Sequence, residues 1–160
     1  MGRGILVRVE RESIYDAAGG AEAFARLAAA HHERCLADPV LEHPFSHGTR
    51  PDHVARLAAY WAEVLGGPAD YSRQFGDHSG MIGVHCGNGE EMAALGELFV
   101  ACFVAAIDDA GLPSDPELRT ALRDYMVWAV GDVNRYAPHD AVVPAGVAMP
   151  RWSWDGLASI

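Results

Sequence analysis

The segment PDHVARLAAYWAEVLGGP, residues 51–68, carries both a start signal and a stop signal for a helix. Pro51 suits the first turn of a helix, because the N–H group that proline lacks has no partner there. Gly66-Gly67-Pro68 ends a helix, since glycine adopts the left-handed conformation and proline cannot continue the ladder. The stretch therefore predicts a helix from Pro51 to about Leu65.

One face of this helix mixes polar and apolar residues. The residues that share it lie at i, i+3, i+4 and i+7: His53, Arg56, Leu57 and Tyr60. Such a mixture is typical of a helix that lines a pocket. An exposed histidine near a helix start has the same spacing, so the face alone leaves both interpretations open.

Helical patterns also occupy the chain before this stretch. Phe24, Leu27 and Ala28 fall at helical spacing and predict a helix from Ala21 to about Leu36. Asp38-Pro39 is typical of a short helical turn. Residues 44–51 contain two prolines and a glycine and are predicted to form a loop.

Two apolar helices are predicted near the C-terminus. Residues 69–89 carry five glycines that break any long helix, so short helical turns are expected there. Helices are then predicted over 90–110 and from about 115 to 136. Residues 137–160 are rich in proline and glycine and are expected to form an extended tail on the surface.

These elements predict an all-α fold. The two C-terminal helices would form an antiparallel pair, two earlier helices would cross over them, and a pocket would lie between the layers. The chain has 160 residues, enough for one domain with a sizeable core.

Composition and charge exclude several classes of function. Twelve basic residues, all arginine, oppose 22 acidic ones, and the net charge is −10. Such a chain repels nucleic acids and anionic membranes, so neither is an expected partner. Three widely spaced cysteines suit a reducing compartment, and the N-terminus lacks the pattern of a signal peptide, so we expect a cytoplasmic protein.

The eight histidines are the main candidates for chemistry. His85 follows the apolar Met81, Ile82 and Val84, and an apolar setting favours the neutral imidazole that ligates metals. A hydrogen-bonded structural histidine fits the same pattern. His31 and His32 are adjacent and point about 100° apart on a helix, so they cannot face one site equally.

Four segments together resemble a known family. Tyr15–Gly20 (YDAAGG) is similar to YDAVGG, and Ala37–Leu41 (ADPVL) to AEDPLL. Gly66-Gly67-Pro68 with Tyr71-Ser72 is similar to a GGP…YS element, and Gly76–Cys86 to GHPRLRMRHAPF with one residue inserted. Over residues 14 to 136 the chain resembles the group II truncated haemoglobins.

The resemblance implies a truncated two-over-two helical sandwich around haem b. It implies an extension at 1–13, a globin domain at 14–136 and a tail at 137–160. His85 matches the proximal iron ligand, and His53 the distal position, where it could also be a sixth ligand. The expected cofactor-binding residues are Phe45 on the porphyrin, Arg56 at a propionate, Leu57 over the iron, Tyr60 and Phe99.

Departures from the family pattern concern the distal side. His32 stands where the family has a tyrosine, and His31 where phenylalanine is common. Phe99 or Leu98 stands where group II members have a tryptophan, and neither offers an N–H group. His53 and His32 are therefore the expected catalytic residues and hydrogen-bond donors.

Several functions follow from this interpretation. The leading one binds dioxygen, nitric oxide or carbon monoxide and, with an electron donor, oxidises nitric oxide to nitrate. Its alternatives are a haem peroxidase or oxygenase and a globin-like sensor, in which Trp152 and Trp154 could serve a partner surface or a homodimer. A non-haem metal bound by histidines in a helical bundle is a further alternative.

Overall fold

The computed structural model describes residues 10–47 and 50–158, and most of the predicted N-terminal extension lies outside them. Most of the described chain is helical. The helices are α1 (Ile14–Ala18), α2 (Gly20–Ala37), α3 (Glu42–His47), α4 (His53–Val64), α5 (Asp70–Gln74), α6 (His78–His85), α7 (Gly89–Ala93), α8 (Gly96–Asp109) and α9 (Pro116–Asn134). Two short antiparallel strands, β1 (Trp152–Ser153) and β2 (Gly156–Leu157), form a hairpin.

The core lies where α2 packs on α4 and α8, and where α8 packs on α9. Phe24, Leu27 and Phe103 are buried there, and the ring of Trp61 meets that of Phe103 edge-on at 5.1 Å. This arrangement confirms the predicted helical sandwich. Within the described ranges, no helix has both the length and the apolar character that a membrane span requires.

The Gly-Gly-Pro turn locks α1 against the end of α4. The Tyr15 amide donates to the Leu65 carbonyl at 2.9 Å. A Cβ on Gly67 would come within 2.7 Å of both the Ala62 carbonyl oxygen and the Tyr15 ring. Only glycine fits there, so this motif fixes the direction in which the chain leaves α4.

The prediction of a loop over residues 44–51 is wrong in its first half, because α3 spans Glu42–His47. Asp38 organises its approach by accepting from the Val40 and Leu41 amides. Pro44 is the third residue of α3, where a helix needs no N–H donor. Pro44, in the first turn, is therefore compatible with this helix.

A single helix over 90–110 is also wrong, since α7 ends at Ala93 and α8 begins at Gly96. The Asn134 side-chain amide donates to the Ala93 carbonyl at 3.3 Å. Cβ on Gly96 would lie 2.5 Å from a Val130 methyl group. Helix α9 thus supplies a hydrogen-bond partner to the Ala93 carbonyl, where the helix breaks, and packs closely against the start of α8.

The tail lies against the domain, and its hairpin adds strand to a fold predicted as all-α. Its first residue, and the residue just before it, support the segment after α6: the Gly89 amide donates to the Ala137 carbonyl, and the Gly87 amide to the Tyr136 carbonyl. The hairpin packs the Trp152 ring near Tyr125 and Trp128 of α9. The division into extension, domain and tail stays a prediction.

Candidate functional site

Five rings gather where α2, α3, α4 and α8 meet. The His32 and His53 rings are 5.2 Å apart, and the Phe45 ring lies 6.3 and 6.2 Å from them. Phe99 stacks on Phe45 at 5.9 Å and meets His31 edge-on at 4.4 Å. We call this set the ring cluster. It brings together five residues that sequence reasoning had singled out.

Two nitrogens of the ring cluster have no hydrogen-bond partner although they are buried: Nδ1 of His32 and Nε2 of His53. Buried polar atoms are nearly always paired in folded proteins, so unpaired ones require an explanation. An imidazole nitrogen can donate or accept, depending on the tautomer. Both atoms are therefore available to a small polar ligand.

His31 lies on the buried side of the ring cluster. It is fully buried, and its Nε2–H donates to the Phe99 carbonyl at 3.3 Å. Burial, partly opposed by this bond, lowers the pKa of His31 to about 4. His31 is therefore neutral at pH 7 and joins α2 to α8.

His53 is also held neutral. Burial first, and then the nearby His32 and His85, lower the pKa of His53 to about 4. The influence of His85 places that residue, on α6, in the surroundings of the His53 ring. At pH 7 the His53 ring carries one N–H donor and one lone pair.

His85 is the last residue of α6 and is exposed. Its Nδ1–H donates to the Met81 carbonyl at 3.0 Å. This bond fixes the tautomer and leaves the Nε2 lone pair free, the arrangement typical of a histidine that ligates a metal. Beside it lies a cavity of about 70 Å³ whose lining includes Asn88, Met92 and Val133.

Apolar side chains around this segment are unusually exposed. Val84, next to His85, is 67% exposed, and Met92 on α7 is 41% exposed. An apolar ligand gains free energy by covering such side chains. A flat apolar group ligated by His85 would find such surface beside its ligand.

The remaining predicted residues take different places. Leu57 is half-buried against the core, and Leu98 is exposed, whereas Phe99 joins the ring cluster. Arg56 binds Asp52 at 2.8 Å and also donates to the Phe75 carbonyl, so its predicted role at a propionate has a competitor. Tyr60 is buried and bonded to His78, away from the ring cluster.

That bond and its continuation are not predicted from the sequence. His78 Nδ1 lies 2.8 Å from the Tyr60 hydroxyl, and His78 Nε2 lies 3.3 Å from an Asp132 oxygen. The only sequence signal is that His78 precedes His85 by two helical turns. Within the described residues, no group of three or more His, Cys, Asp or Glu side chains is placed to hold a metal ion.

Comparison with known proteins gives one family. The model of the bacterial-like globins matches residues 13–130. No curated protein matches the sequence significantly.

Solved structures of haemoglobins share the fold. A thermostable haemoglobin from Thermobifida fusca is 28% identical, with 85% of this chain and 100% of that chain covered and a TM-score of 0.62. A haemoglobin from Chloroflexus aurantiacus is 24% identical over 77% and 98% of the two chains, with a TM-score of 0.62. The group II truncated haemoglobin of Bacillus anthracis is 18% identical over 78% and 92%, with a TM-score of 0.64.

Proposed function

Because the chain belongs to the bacterial-like globin family and is a truncated haemoglobin, we propose that it binds haem b through His85. We further propose that it binds dioxygen and nitric oxide beside His53 and His32 and oxidises nitric oxide to nitrate. One observation carries this proposal: two buried imidazole nitrogens of the ring cluster have no partner, and His85, whose Nε2 is left free by its Nδ1 bond, acts electrostatically on the His53 ring.

The residues fit haem. His85 would ligate the iron through Nε2, and the exposed Val84 and Met92 would contact an apolar ring. When bound, haem supplies an iron that binds diatomic molecules and exchanges electrons with them, and the polarity of the distal pocket decides which chemistry follows.

The distal residues would select and orient the ligand. His53, which burial keeps neutral, and His32 can each donate one hydrogen bond to a diatomic molecule, or accept one from a protonated product. Phe45, Phe99 and His31 pack beside them and exclude water, which strengthens such bonds. Oxidation of nitric oxide by dioxygen to nitrate consumes one electron, so an electron donor is required.

Absorption spectra of protein reconstituted with haemin test the proposal. We expect a Soret band, and a ferrous form that binds carbon monoxide and, after exposure to dioxygen, consumes nitric oxide with formation of nitrate. His85→Ala should lose the stable Soret band. His139→Ala is the matched control, because His139 is also exposed and its Nδ1 also bonds a backbone carbonyl, that of Gly87.

Two results would contradict the proposal. An unchanged spectrum in His85→Ala would show that His85 is not the iron ligand. If the protein binds haem but forms nitrate no faster than free haemin does, the proposed oxidation of nitric oxide is wrong. Sharp split visible bands in the ferrous form would assign the sixth position to an internal histidine, which His53→Ala should reopen.

Peroxide reduction is a second candidate, favoured by the two unpartnered imidazole nitrogens. A neutral imidazole can take a proton from one oxygen of a peroxide and return it to the other, as a general base and then acid. We expect His53→Ala, and to a smaller extent His32→Ala, to slow the oxidation of a phenolic dye by peroxide. Oxidation no faster than with free haemin would exclude this candidate.

A further inference from the structure

A buried polar chain joins α4, α6 and α9. The Tyr60 hydroxyl and His78 Nδ1 are 2.8 Å apart, His78 Nε2 and Asp132 Oδ2 are 3.3 Å apart, and Asp132 forms an ion pair with Arg135. Tyr60, His78 and Asp132 are all less than 10% exposed. We call these three residues the relay.

Proton positions in the relay follow from its partners. Asp132 can only accept, so His78 carries its hydrogen on Nε2 and presents a lone pair at Nδ1. The Tyr60 hydroxyl therefore donates to Nδ1. Burial, and then Tyr125 and Asp132, raise the pKa of Tyr60, so the phenol does not ionise at neutral pH.

A phenol that cannot ionise can still lose an electron if its proton has an acceptor. An oxidised phenol is a strong acid, and His78 Nδ1 is placed to take its proton. Asp132 would then face an imidazolium, a charge-assisted pair in a buried setting. The relay thus combines an oxidisable ring, a base and a counter-charge, whereas a purely structural bond requires only a hydrogen-bond acceptor.

The relay shares helix α4 with His53 and helix α9 with Trp128. Tyr60 follows His53 by seven residues on α4, about 10 Å along the helix. On α9, Tyr125 is buried in the same core as Tyr60. Its ring is 6.0 Å from Trp152 and 6.4 Å from Trp128, and both tryptophans are only half-buried.

We propose that Tyr60 is a redox-active tyrosine that passes electrons to the haem site, with His78 as its proton acceptor and Trp128 and Trp152 as the point where electrons enter. The proposal rests on the peroxide-reducing function proposed above. Hydrogen peroxide takes two electrons from the surface reductant, and the two protons that the oxidised reductant releases to water, and gives two water molecules. For each electron, Tyr60 becomes a neutral phenoxyl radical and its proton moves to His78 Nδ1.

A reductant at the surface then restores the phenol. Its electron passes through Trp152 or Trp128 and Tyr125 to the Tyr60 radical, and the proton returns from His78. The substrate class is a small one-electron donor, such as a phenol or a reduced quinone, that meets the tryptophan face.

Electron paramagnetic resonance after rapid freezing of the haem-loaded protein with hydrogen peroxide tests the proposal. We expect a tyrosyl radical with an exchangeable deuteron coupling in D₂O. Tyr60→Phe should remove this signal, whereas Tyr71→Phe should keep it. Tyr71 is the matched control, since its ring lies 5.1 Å from that of Tyr60 but it is not bonded to His78.

His78→Gln separates the redox role from a structural one. The glutamine amide oxygen can accept the Tyr60 hydrogen bond but is not a base, so radical formation should be about a hundredfold slower while the Soret band is unchanged. Radical formation at the original rate would overturn the assignment of His78. A radical that survives in Tyr60→Phe would overturn that of Tyr60.

A photogenerated ruthenium(III) polypyridyl oxidant tests the relay without peroxide chemistry. It should oxidise the surface tryptophans first and then give the Tyr60 radical, with a lower yield in Trp152→Phe combined with Trp128→Phe. Success here with no radical from peroxide would reject the peroxide-reducing function but keep the redox-active tyrosine. Failure in both experiments would reject the relay.

Discussion

Helix α6 begins and ends with a histidine, and the two are used in opposite ways. His78 is 3% exposed and both of its ring nitrogens are bonded, to Tyr60 and Asp132. His85 is exposed, and its ring is bonded through Nδ1 to the Met81 carbonyl of its own helix. The comparison shows that the environment assigns the role: one histidine joins three helices, and the other keeps a lone pair for a ligand.

The same contrast holds along α4. Tyr60 is bonded to α6 through His78, so α4 and α6 meet there at a closed end. Seven residues earlier, His53 has a buried Nε2 without a partner, and His85 contributes to its lowered pKa. This open end is where we propose the haem.

The largest expected effect concerns His78. His78→Ala would leave the Tyr60 hydroxyl unpaired and Asp132 buried with Arg135 as its partner, so we expect a loss of about 4 kcal/mol in the free energy of unfolding. Urea denaturation of the haem-free proteins measures it. His85→Ala, at the exposed end of the same helix, should change the same free energy by less than about 0.5 kcal/mol. If the two variants lose the same free energy of unfolding, the two ends of α6 do not differ in the way proposed here.

The open end could be foreseen, and the closed end could not. Helical spacing placed His53 and Leu57 on one face, and the resemblance assigned His85. The Tyr60–His78–Asp132 contacts join residues 18 and 54 positions apart. No local pattern encodes such pairs, because they depend on how whole helices pack.

Errors in the fold have the same origin. The predicted bounds of α2, α4 and α9 lie close to those observed, because their caps and apolar spacing are local. The break between α7 and α8 depends on Asn134, a residue 41 positions from Ala93. The helix through Pro44 could have been predicted from a local rule, because the first turn of a helix tolerates proline.

The second prediction is that the free energy of unfolding falls in acid because the unfolded chain protonates His31. His31 has a folded pKa of about 4, lowered from 6.5 mainly by burial, so the unfolded chain takes up this proton first as the pH falls. The corresponding stability is complete above pH 6.5 and is lost progressively between 6.5 and 4. At pH 5 the loss should be about 2 kcal/mol.

His31→Phe tests this prediction. It keeps a ring against Phe99 and removes the titration, so its unfolding free energy should fall by about 2 kcal/mol less than the wild type between pH 7.5 and 5. Tyr71→Phe, which changes a buried ring but no group that titrates between pH 5 and 7.5, is the control and should retain the wild-type loss. An unchanged acid dependence in His31→Phe would show that other groups, such as the buried His78, dominate it.

The third prediction probes close packing away from α6. Gly96→Ala would place a Cβ 2.5 Å from a Val130 methyl group, so α8 and α9 must separate slightly. We expect a loss of about 1–2 kcal/mol in the unfolding free energy. Gly96→Ala combined with Val130→Ala should recover part of the Gly96→Ala loss, measured against Val130→Ala alone. If the double variant recovers none of this loss, the effect of Gly96→Ala does not come from the contact with Val130.

The smallest expected effect returns to the open end of α6. Gly83 lies inside this helix, two residues before His85, and a Cβ there would meet nothing within 4 Å. Gly83→Ala should therefore stabilise the protein by about 0.5–1 kcal/mol, because alanine loses less backbone freedom in a helix. Thermal unfolding with and without haem measures it, and Gly76→Ala, at a φ of 140°, should destabilise instead. If Gly83→Ala stabilises the haem-free protein but weakens haem binding, the end of α6 must bend to bring His85 to the iron; equal stabilisation of both forms means that His85 is already in place.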